Sequence, residues 1–203
     1  MAETATALAS SIADRQADKR QAIRAAAVRL IARSGLHNTP MSAIAREAGV
    51  AAGTLYLYFP SKDAMINALY LEILEERDRA IGLGGQAVEL VSARDGFWEF
   101  WQALARWYLD FPEHANLLNQ CQASSILSQE TRDTEQRMHA EGMVHFDEAV
   151  ARGTFRPISL QVFWALIAGP IFVLIQMRDS GEIVVTDELL HATFDGVCRA
   201  VLP

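Results

Sequence analysis

Four side chains able to contact nucleic acid lie along a short segment of the chain, namely Thr54, Tyr56, Tyr58 and Lys62. Hydroxyl and ammonium groups donate hydrogen bonds to phosphate oxygens, and such contacts position a protein on DNA. Residues 51–59 include no Arg, Asn or Gln, the types that read bases through paired hydrogen bonds. The segment therefore favours contact with a DNA backbone, with thymine methyl contacts and DNA shape contributing to any sequence preference.

Residues that usually carry catalysis or bind metals are poorly spaced in this chain. None of the five histidines is four residues from another, so the helical spacing of zinc ligands is absent. His145 with Glu141 or Glu148 would supply two ligands from one helix, too few for a metal site. Cys121 has no evident base partner, and no glycine-rich phosphate loop follows a strand. We expect no catalytic site, no metal and no cofactor, and therefore a protein that is not an enzyme.

Apolar residues recur at helical spacing along almost the whole chain, and no run of alternating strand residues persists. The first stripe is Ile23, Ala26, Ala27, Leu30 and Ile31, one face of a helix that Gly35 can end. The pattern predicts an all-α protein of about nine helices, over residues 16–34, 40–48, 52–59, 61–81, 94–110, 113–127, 129–152, 159–178 and 187–201.

Residues 41–60 fit a helix-turn-helix, in which two short helices cross over a tight turn. Ala45 is small enough for a close crossing, and Gly49 can adopt the positive φ that the turn requires. Ile44, Val50 and Leu55 are spaced to anchor the pair in a small core. The second helix then presents Thr54, Tyr56 and Tyr58, and Lys62 lies at the start of the next helix. A small helical hairpin without DNA-binding function would share much of this pattern.

Charge is divided unevenly along the chain. Residues 1–62 hold eight Lys and Arg against four Asp and Glu, a net charge of +4, whereas residues 63–203 carry −11. A basic N-terminal part joined to an acidic remainder is consistent with a DNA-binding end on a body that DNA would repel. The two cysteines and the lack of an export signal favour the cytoplasm. The apolar run 162–175 is short for a membrane span, which favours a buried helix.

Residues 44–50 (IAREAGV) and 53–63 (GTLYLYFPSKD) closely resemble the N-terminal signature of TetR-family transcriptional regulators, over roughly residues 19–75. The resemblance implies a flexible arm at 1–18, a three-helix DNA-binding head at 19–62 and a ligand-binding and dimerisation body at 63–203. Leu57, Ala51, Ala52 and Met41 depart from residues common in the family. Matched position by position, the expected DNA contacts are Ser42, Ala52, Gly53, Thr54, Tyr56, Leu57, Tyr58 and Lys62.

The resemblance further implies a homodimer whose recognition helices enter successive major grooves of a near-palindromic operator, about 34–36 Å apart. A small molecule bound in the body would release the operator, which makes the chain a repressor. Aromatic residues crowd 97–111, more than one helix face needs for packing, and apolar pockets with a few polar groups bind ligands. Candidate ligand contacts for a lipophilic or aromatic effector are Trp101, Tyr108, Asn116, Gln120, Cys121, His145, Phe146, Trp164 and Gln176.

The helix over 159–178 is apolar nearly all round, so it must be covered on more than one side. By resemblance to the family, the last two helices pair across a twofold axis. The expected dimer residues are Phe163, Leu166, Ile167, Phe194, Val197 and Val201. The alternative function is a helical sensor or scaffold without specific DNA binding, which the scarcity of base-reading residues and the acidic body leave open.

Overall fold

The computed structural model describes residues 2–82 and 94–203 of the chain. Those residues contain helices and no strands, so the all-α prediction is confirmed. Within these ranges nine helices follow one another, here numbered α1 (Ala2–Ser34), α2 (Met41–Glu47), α3 (Ala52–Tyr58), α4 (Lys62–Ala80), α5 (Arg94–Asp110), α6 (Pro112–Gln122), α7 (Gln129–Ala151), α8 (Leu160–Asp179) and α9 (Asp187–Val201).

Most helix limits lie within a few residues of the predicted ones, and the first helix is the exception. Helix α1 begins at Ala2, so the segment expected to be a flexible arm continues the helix. Alanine has the highest intrinsic helix propensity, and the segment before Gln16 is rich in it. Helix α1 therefore begins well before the apolar stripe from which it was predicted.

The chain divides into two compact units. The first comprises Met1–Glu72 and Glu113–Gln129, and the second comprises Ile73–Pro112 and Glu130–Pro203. Helix α4 contributes residues to both, since the division falls between Glu72 and Ile73. The segment 113–129, which the sequence places in the body, belongs to the first unit with the helix-turn-helix.

The core of the first unit is built mainly from aliphatic side chains. Its fully buried large residues include Ile23, Ile31, Ile44, Leu55, Met65, Ile66 and Leu69. The stripe predicted on α1 supplies two of these, so this face of α1 is covered by neighbouring helices. The short helices α2 and α3 are held mainly by this packing, since seven-residue helices are not stable alone.

The core of the second unit is dominated by aromatic rings. The Phe97 ring lies 5.2 Å from Phe194, 5.8 Å from Phe155 and 6.2 Å from Phe163, measured between ring centroids. Trp101 is fully buried, and its indole Nε1 donates to the Ile167 carbonyl at 2.8 Å. Aromatic contacts at these separations add to the free energy gained by burying area.

Candidate nucleic-acid interface

The turn between α2 and α3 has the predicted geometry. Gly49 has a φ of +67°, which confirms the expectation of a left-handed residue there. The Val50 N–H donates to the Ala45 carbonyl at 3.0 Å, which closes the end of α2. Ile44 and Leu55 are fully buried. These contacts fix the direction of α3 relative to α2.

Helix α3 has one buried and one exposed side. Leu55 within it and Phe59 just after it are buried, which anchors the helix in the first unit. Tyr56 is 51% exposed and Leu57 is 85% exposed. Large apolar side chains at such exposure contribute little to the stability of their own chain. We refer to the outward side of α3, comprising Ala52, Gly53, Tyr56 and Leu57, as the α3 surface.

Gly53 lies exposed in the first turn of α3. A Cβ atom placed on this residue would meet no other atom of the described chain within 4 Å. Its backbone conformation is also one that other residues adopt, since its φ is not positive. Neither packing nor backbone geometry in this chain therefore requires a glycine here. A close approach of another molecule to the backbone would require one.

Tyr58 and Lys62 are half-buried and are held by the first unit itself. The Tyr58 hydroxyl donates to the Gln16 carbonyl of α1 at 3.3 Å. The Lys62 Nζ donates to the His37 carbonyl at 3.1 Å. An ammonium group has three donors, so this bond leaves Lys62 able to donate to a phosphate as well. Of the remaining predicted contacts, Ser42 is exposed in the first turn of α2 and Thr54 is half-buried.

Several arginines of the first unit are engaged in ion pairs. Arg20 and Arg24 of α1 both pair with Glu72 of α4, the latter at 3.5 Å. The Arg20 guanidinium also lies 5.8 Å from the centre of the Phe59 ring. Arg29 pairs with Glu47 at 3.4 Å. These contacts tie α1 to α2 and α4 around the helix-turn-helix.

The predicted ligand contacts are divided between the two units. Asn116, Gln120 and Cys121 of α6 belong to the first unit, and the others belong to the second. Burial raises the pKa of the Cys121 thiol to about 12, so the thiol is protonated at neutral pH. Gln176 is exposed, whereas the structure buries the rings of Trp101, Tyr108 and Phe146. His145 lies 3.8 Å from Glu148, as in a surface ion pair.

A buried ionic cluster in the second unit was not predicted from the sequence. Arg77 is buried and donates from Nε and Nη2 to Oδ1 of Asp78, at 2.9 and 2.6 Å. Nε2 of His139 lies 2.8 Å from the other carboxylate oxygen of Asp78. The Arg77 guanidinium is 5.8 Å from the Trp164 ring and interacts with Tyr108. Adjacent residues of opposite charge usually indicate a solvated helix surface, so the sequence carried no signal for this cluster.

The charges of this cluster stabilise each other. Burial of the Asp78 carboxyl alone would raise its pKa, but the His139 hydrogen bond and the Arg77 guanidinium outweigh burial and hold the pKa below its ordinary value. Burial alone would lower the pKa of Arg77, and the Asp78 charge reverses that effect. Among the described residues, this cluster included, no group of three or more His, Cys, Asp or Glu side chains is placed to hold a metal ion.

The predicted dimer residues are mostly core residues of their own chain. Five of the six, all except Leu166, are buried within the single chain, so they do not form a free face. A helix that is apolar all round does not indicate which side its own chain covers, so the sequence could not identify the face of α8 that stays free. The apolar residues that α8 leaves exposed are Val162 and Val173, with Ala165 between them.

Helix α8 is also longer than its uninterrupted apolar run. Within the part of the chain that the structure describes, it is the one helix long and apolar enough to cross a membrane, with a mean hydropathy of 1.9 over 18 residues. Only 28% of that stretch is buried within the single chain. The length of α8 therefore does not argue against a membrane span. Whether lipid or protein covers its exposed face distinguishes a membrane span from a helix buried in an assembly.

Comparison with known proteins adds an independent observation. Residues 23–69 match the family model described as bacterial regulatory proteins of the tetR family. The fatty acid metabolism regulator protein of Bacillus subtilis strain 168 is 49% identical over 47 residues. That match covers 23% of this chain and 24% of the relative, so about a quarter of its length is shared.

Solved structures extend the likeness beyond the head. A TetR family transcription regulator from Marinobacter aquaeolei VT8 is 26% identical with a TM-score of 0.79, covering 93% of this chain and 97% of that one. A TetR-family regulator from Haemophilus influenzae RD, at 20% identity and a TM-score of 0.69, covers 93% and 99%. At that identity, the second match supports the fold alone.

Proposed function

We propose that this chain, which belongs to the TetR family of bacterial transcriptional regulators, binds a palindromic DNA operator through the α3 surface. The supporting observation is the exposure of Tyr56 and Leu57 on a helix that Leu55 and Phe59 anchor from behind. Side chains at this exposure contribute little to packing in their own chain and are accessible to another molecule. Members of this family are regulators and not enzymes, in agreement with the expectation from the sequence.

The proposed DNA contacts differ in chemistry. Leu57 and Ala52 have only apolar groups to offer, which suits thymine methyl groups in the major groove. Ser42, Thr54 and Lys62 carry the hydroxyl and ammonium donors that suit phosphate oxygens. The Tyr58 hydroxyl has one donor, so it would have to leave the Gln16 carbonyl to donate to a phosphate. Tyr56 combines an apolar ring with a hydroxyl. Gly53 allows the backbone of α3 to approach the duplex.

The proposed assembly is a homodimer formed through the exposed face of α8. Val162, Ala165 and Val173 lie on that face at helical spacing, next to the partly exposed Leu166, Gly169 and Phe172. A second copy of the chain would cover this apolar surface without a membrane, since a twofold interface brings the same patch of each copy together. The proposed location is the cytoplasm.

The proposed regulation is release of DNA by a small lipophilic effector that binds in the second unit. Its support is the aromatic interior of that unit together with the polar groups of the buried ionic cluster formed by Arg77, Asp78 and His139. A ligand shifts an equilibrium only through its different affinities for two conformations, so an effector that prefers the DNA-incompetent one weakens operator binding. By linkage, DNA weakens effector binding by the same factor. This makes the protein a repressor.

Selection of duplexes from a random DNA pool by the purified chain tests the DNA-binding proposal. We expect enrichment of a palindromic sequence, and we expect its binding constant to fall steeply as salt rises, because phosphate contacts release counterions. A scaffold without specific DNA binding would enrich no sequence. That result would favour the alternative function and contradict the proposal.

A further inference from the structure

The C-terminal end of α1 is capped by a side chain that lies far along the sequence. Oε1 of Gln120 on α6 accepts a hydrogen bond from the Leu36 N–H at 2.9 Å. The Nε2 group of the same amide donates to the Ile31 carbonyl at 3.4 Å. One amide thus contacts the backbone on both sides of Gly35, the residue that ends the helix. All of these residues belong to the first unit.

The Ile31 carbonyl also accepts from the Gly35 N–H at 2.8 Å, so the amide of Gln120 joins the last turn of α1 to Leu36, the residue that follows the turn glycine. Gly35 has a φ of +83°, and the chain turns sharply there toward α2. Thr39 donates from its hydroxyl to the Gly35 carbonyl at 2.9 Å, and the Leu30 carbonyl lies 3.3 Å from the same hydroxyl. Gln120 and Thr39 together hold the turn between α1 and α2.

Two further amide side chains fasten the segment 113–129 to α4. Asn67 donates from Nδ2 to the Ile126 carbonyl at 3.0 Å and accepts from the Ser128 N–H at 2.9 Å. Gln122 donates to the Tyr70 hydroxyl at 3.2 Å. Gln120 also donates to Oδ1 of Asn116 on its own helix at 2.5 Å. It differs from Asn67 and Gln122 because its other partners lie at the turn that leads directly into the helix-turn-helix.

We propose that Gln120 is a positioning residue for DNA binding, which fixes the turn between α1 and α2 and thereby the direction of α2 and α3. This role differs from the ligand contact predicted from the sequence. It rests on the proposed function, since α3 must bind DNA for its direction to matter. Because α6 carries Gln120, a displacement of α6 would change the geometry of the DNA-binding helices.

The substitution Gln120→Met tests this role, because methionine has a similar length and no amide group. We expect the Leu36 amide hydrogen to exchange faster with solvent. We also expect affinity for the duplex selected by the wild-type chain to fall about tenfold, the equivalent of losing one to two hydrogen bonds. Affinities are compared well below the melting temperature of each variant, so that unfolding does not contribute.

Gln122→Met is the matched control, since it removes an amide of the same helix whose partner is Tyr70 on α4. It should leave both Leu36 exchange and duplex affinity at wild-type values. Gln120→Glu provides a milder variant, because it keeps the acceptor for Leu36 and loses the donor to Ile31 and Asn116. It should reduce affinity less than Gln120→Met does.

Two results would overturn the inference and leave the proposed function intact. Faster exchange at Leu36 with unchanged duplex affinity would show that the cap has only a structural role. An equal loss of affinity in Gln122→Met would show that any loosening of α6 suffices. A wild-type chain that selects no duplex would overturn the proposed function and this inference with it. That outcome is recognised separately, because Leu36 exchange is measured without DNA.

Discussion

The two units of this chain differ in where they place their aromatic and large apolar side chains. The first unit fills its core mainly with Ile, Leu and Met, and leaves Tyr56 and Leu57 on the outside. The second unit buries most of its rings, with Trp101 and Phe97 fully buried, and leaves Phe111 at its edge 47% exposed. Substitutions at the α3 surface should therefore weaken DNA binding and leave stability unchanged. Substitutions in the aromatic core should lower stability.

The largest expected effect concerns the aromatic core. Trp101→Ala removes a fully buried ring and the hydrogen bond to the Ile167 carbonyl. We expect the free energy of unfolding to fall by about 3–5 kcal/mol, as measured by denaturant titration at fixed protein concentration. Trp101→Phe keeps most of the packing and should cost less. A loss below about 1 kcal/mol for Trp101→Ala would mean that this core is loosely packed.

The next effect concerns the ionic cluster. Asp78→Asn removes the carboxylate from the buried Arg77 guanidinium, and an uncompensated buried charge is costly. We expect a loss of about 3 kcal/mol in the free energy of unfolding at pH 7. His139→Gln, which changes the more exposed partner of Asp78, should cost less. Equal losses for both substitutions would contradict the central position of the Arg77–Asp78 pair.

The same substitution predicts a pH dependence with a defined sign. The pKa of Asp78 is lower in the folded chain than in the unfolded one, so its stabilisation is present at neutral pH and is lost as the carboxyl becomes protonated in acid. Asp78→Asn lacks this titration. The stability difference between wild type and variant should therefore shrink between pH 7 and about pH 3. A difference that stays constant with pH would contradict the assigned direction of the pKa shift.

At the α3 surface we expect the opposite behaviour. Tyr56→Ala and Leu57→Ala should each weaken duplex binding by on the order of tenfold, with the free energy of unfolding within about 0.5 kcal/mol of wild type. Val184→Ala is a matched control, since Val184 is 80% exposed but lies outside the first unit. It should change neither quantity. If Tyr56→Ala and Leu57→Ala both bind the duplex as tightly as wild type, the proposed difference between the two units is contradicted.

The smallest effect distinguishes a functional glycine from a structural one. Gly53→Ala should preserve or raise stability by up to about 1 kcal/mol, because alanine favours helices and the Cβ meets no atom within 4 Å. It should nevertheless weaken duplex binding. Gly142→Ala on α7, where a Cβ also meets no atom, should raise stability without changing affinity. Unchanged binding in Gly53→Ala would mean that the α3 backbone does not approach DNA closely.

How much of the structure could be predicted depends on how far apart in the sequence the interacting residues lie. Helix positions follow from apolar periodicity, and the turn at Gly49 follows from a local backbone requirement, so both were predictable. The start of α1 was missed because an alanine-rich helix needs no apolar stripe. The contacts of Gln120 join residues more than eighty positions apart, and no single-sequence pattern reports such a pairing.

The dimer residues show a second limit. Hydropathy identified α8 as a helix needing cover on several sides, but Phe163 and Ile167 proved to face their own chain. Choosing the free face requires knowing where α5 and α9 pack, which the periodicity of α8 alone does not contain. Likewise, Arg77 and Asp78 are adjacent in sequence, and only the surrounding helices make that pair a buried one.

Photo-crosslinking tests most directly whether the α3 surface binds DNA. The selected duplex would carry photoreactive thymine analogues, and the crosslinked peptide would be identified by mass spectrometry. We predict crosslinks to the peptide that contains Tyr56 and Leu57, with loss of the signal when unlabelled duplex competes. Crosslinks confined to the second unit, or none from a duplex that is demonstrably bound, would contradict the account.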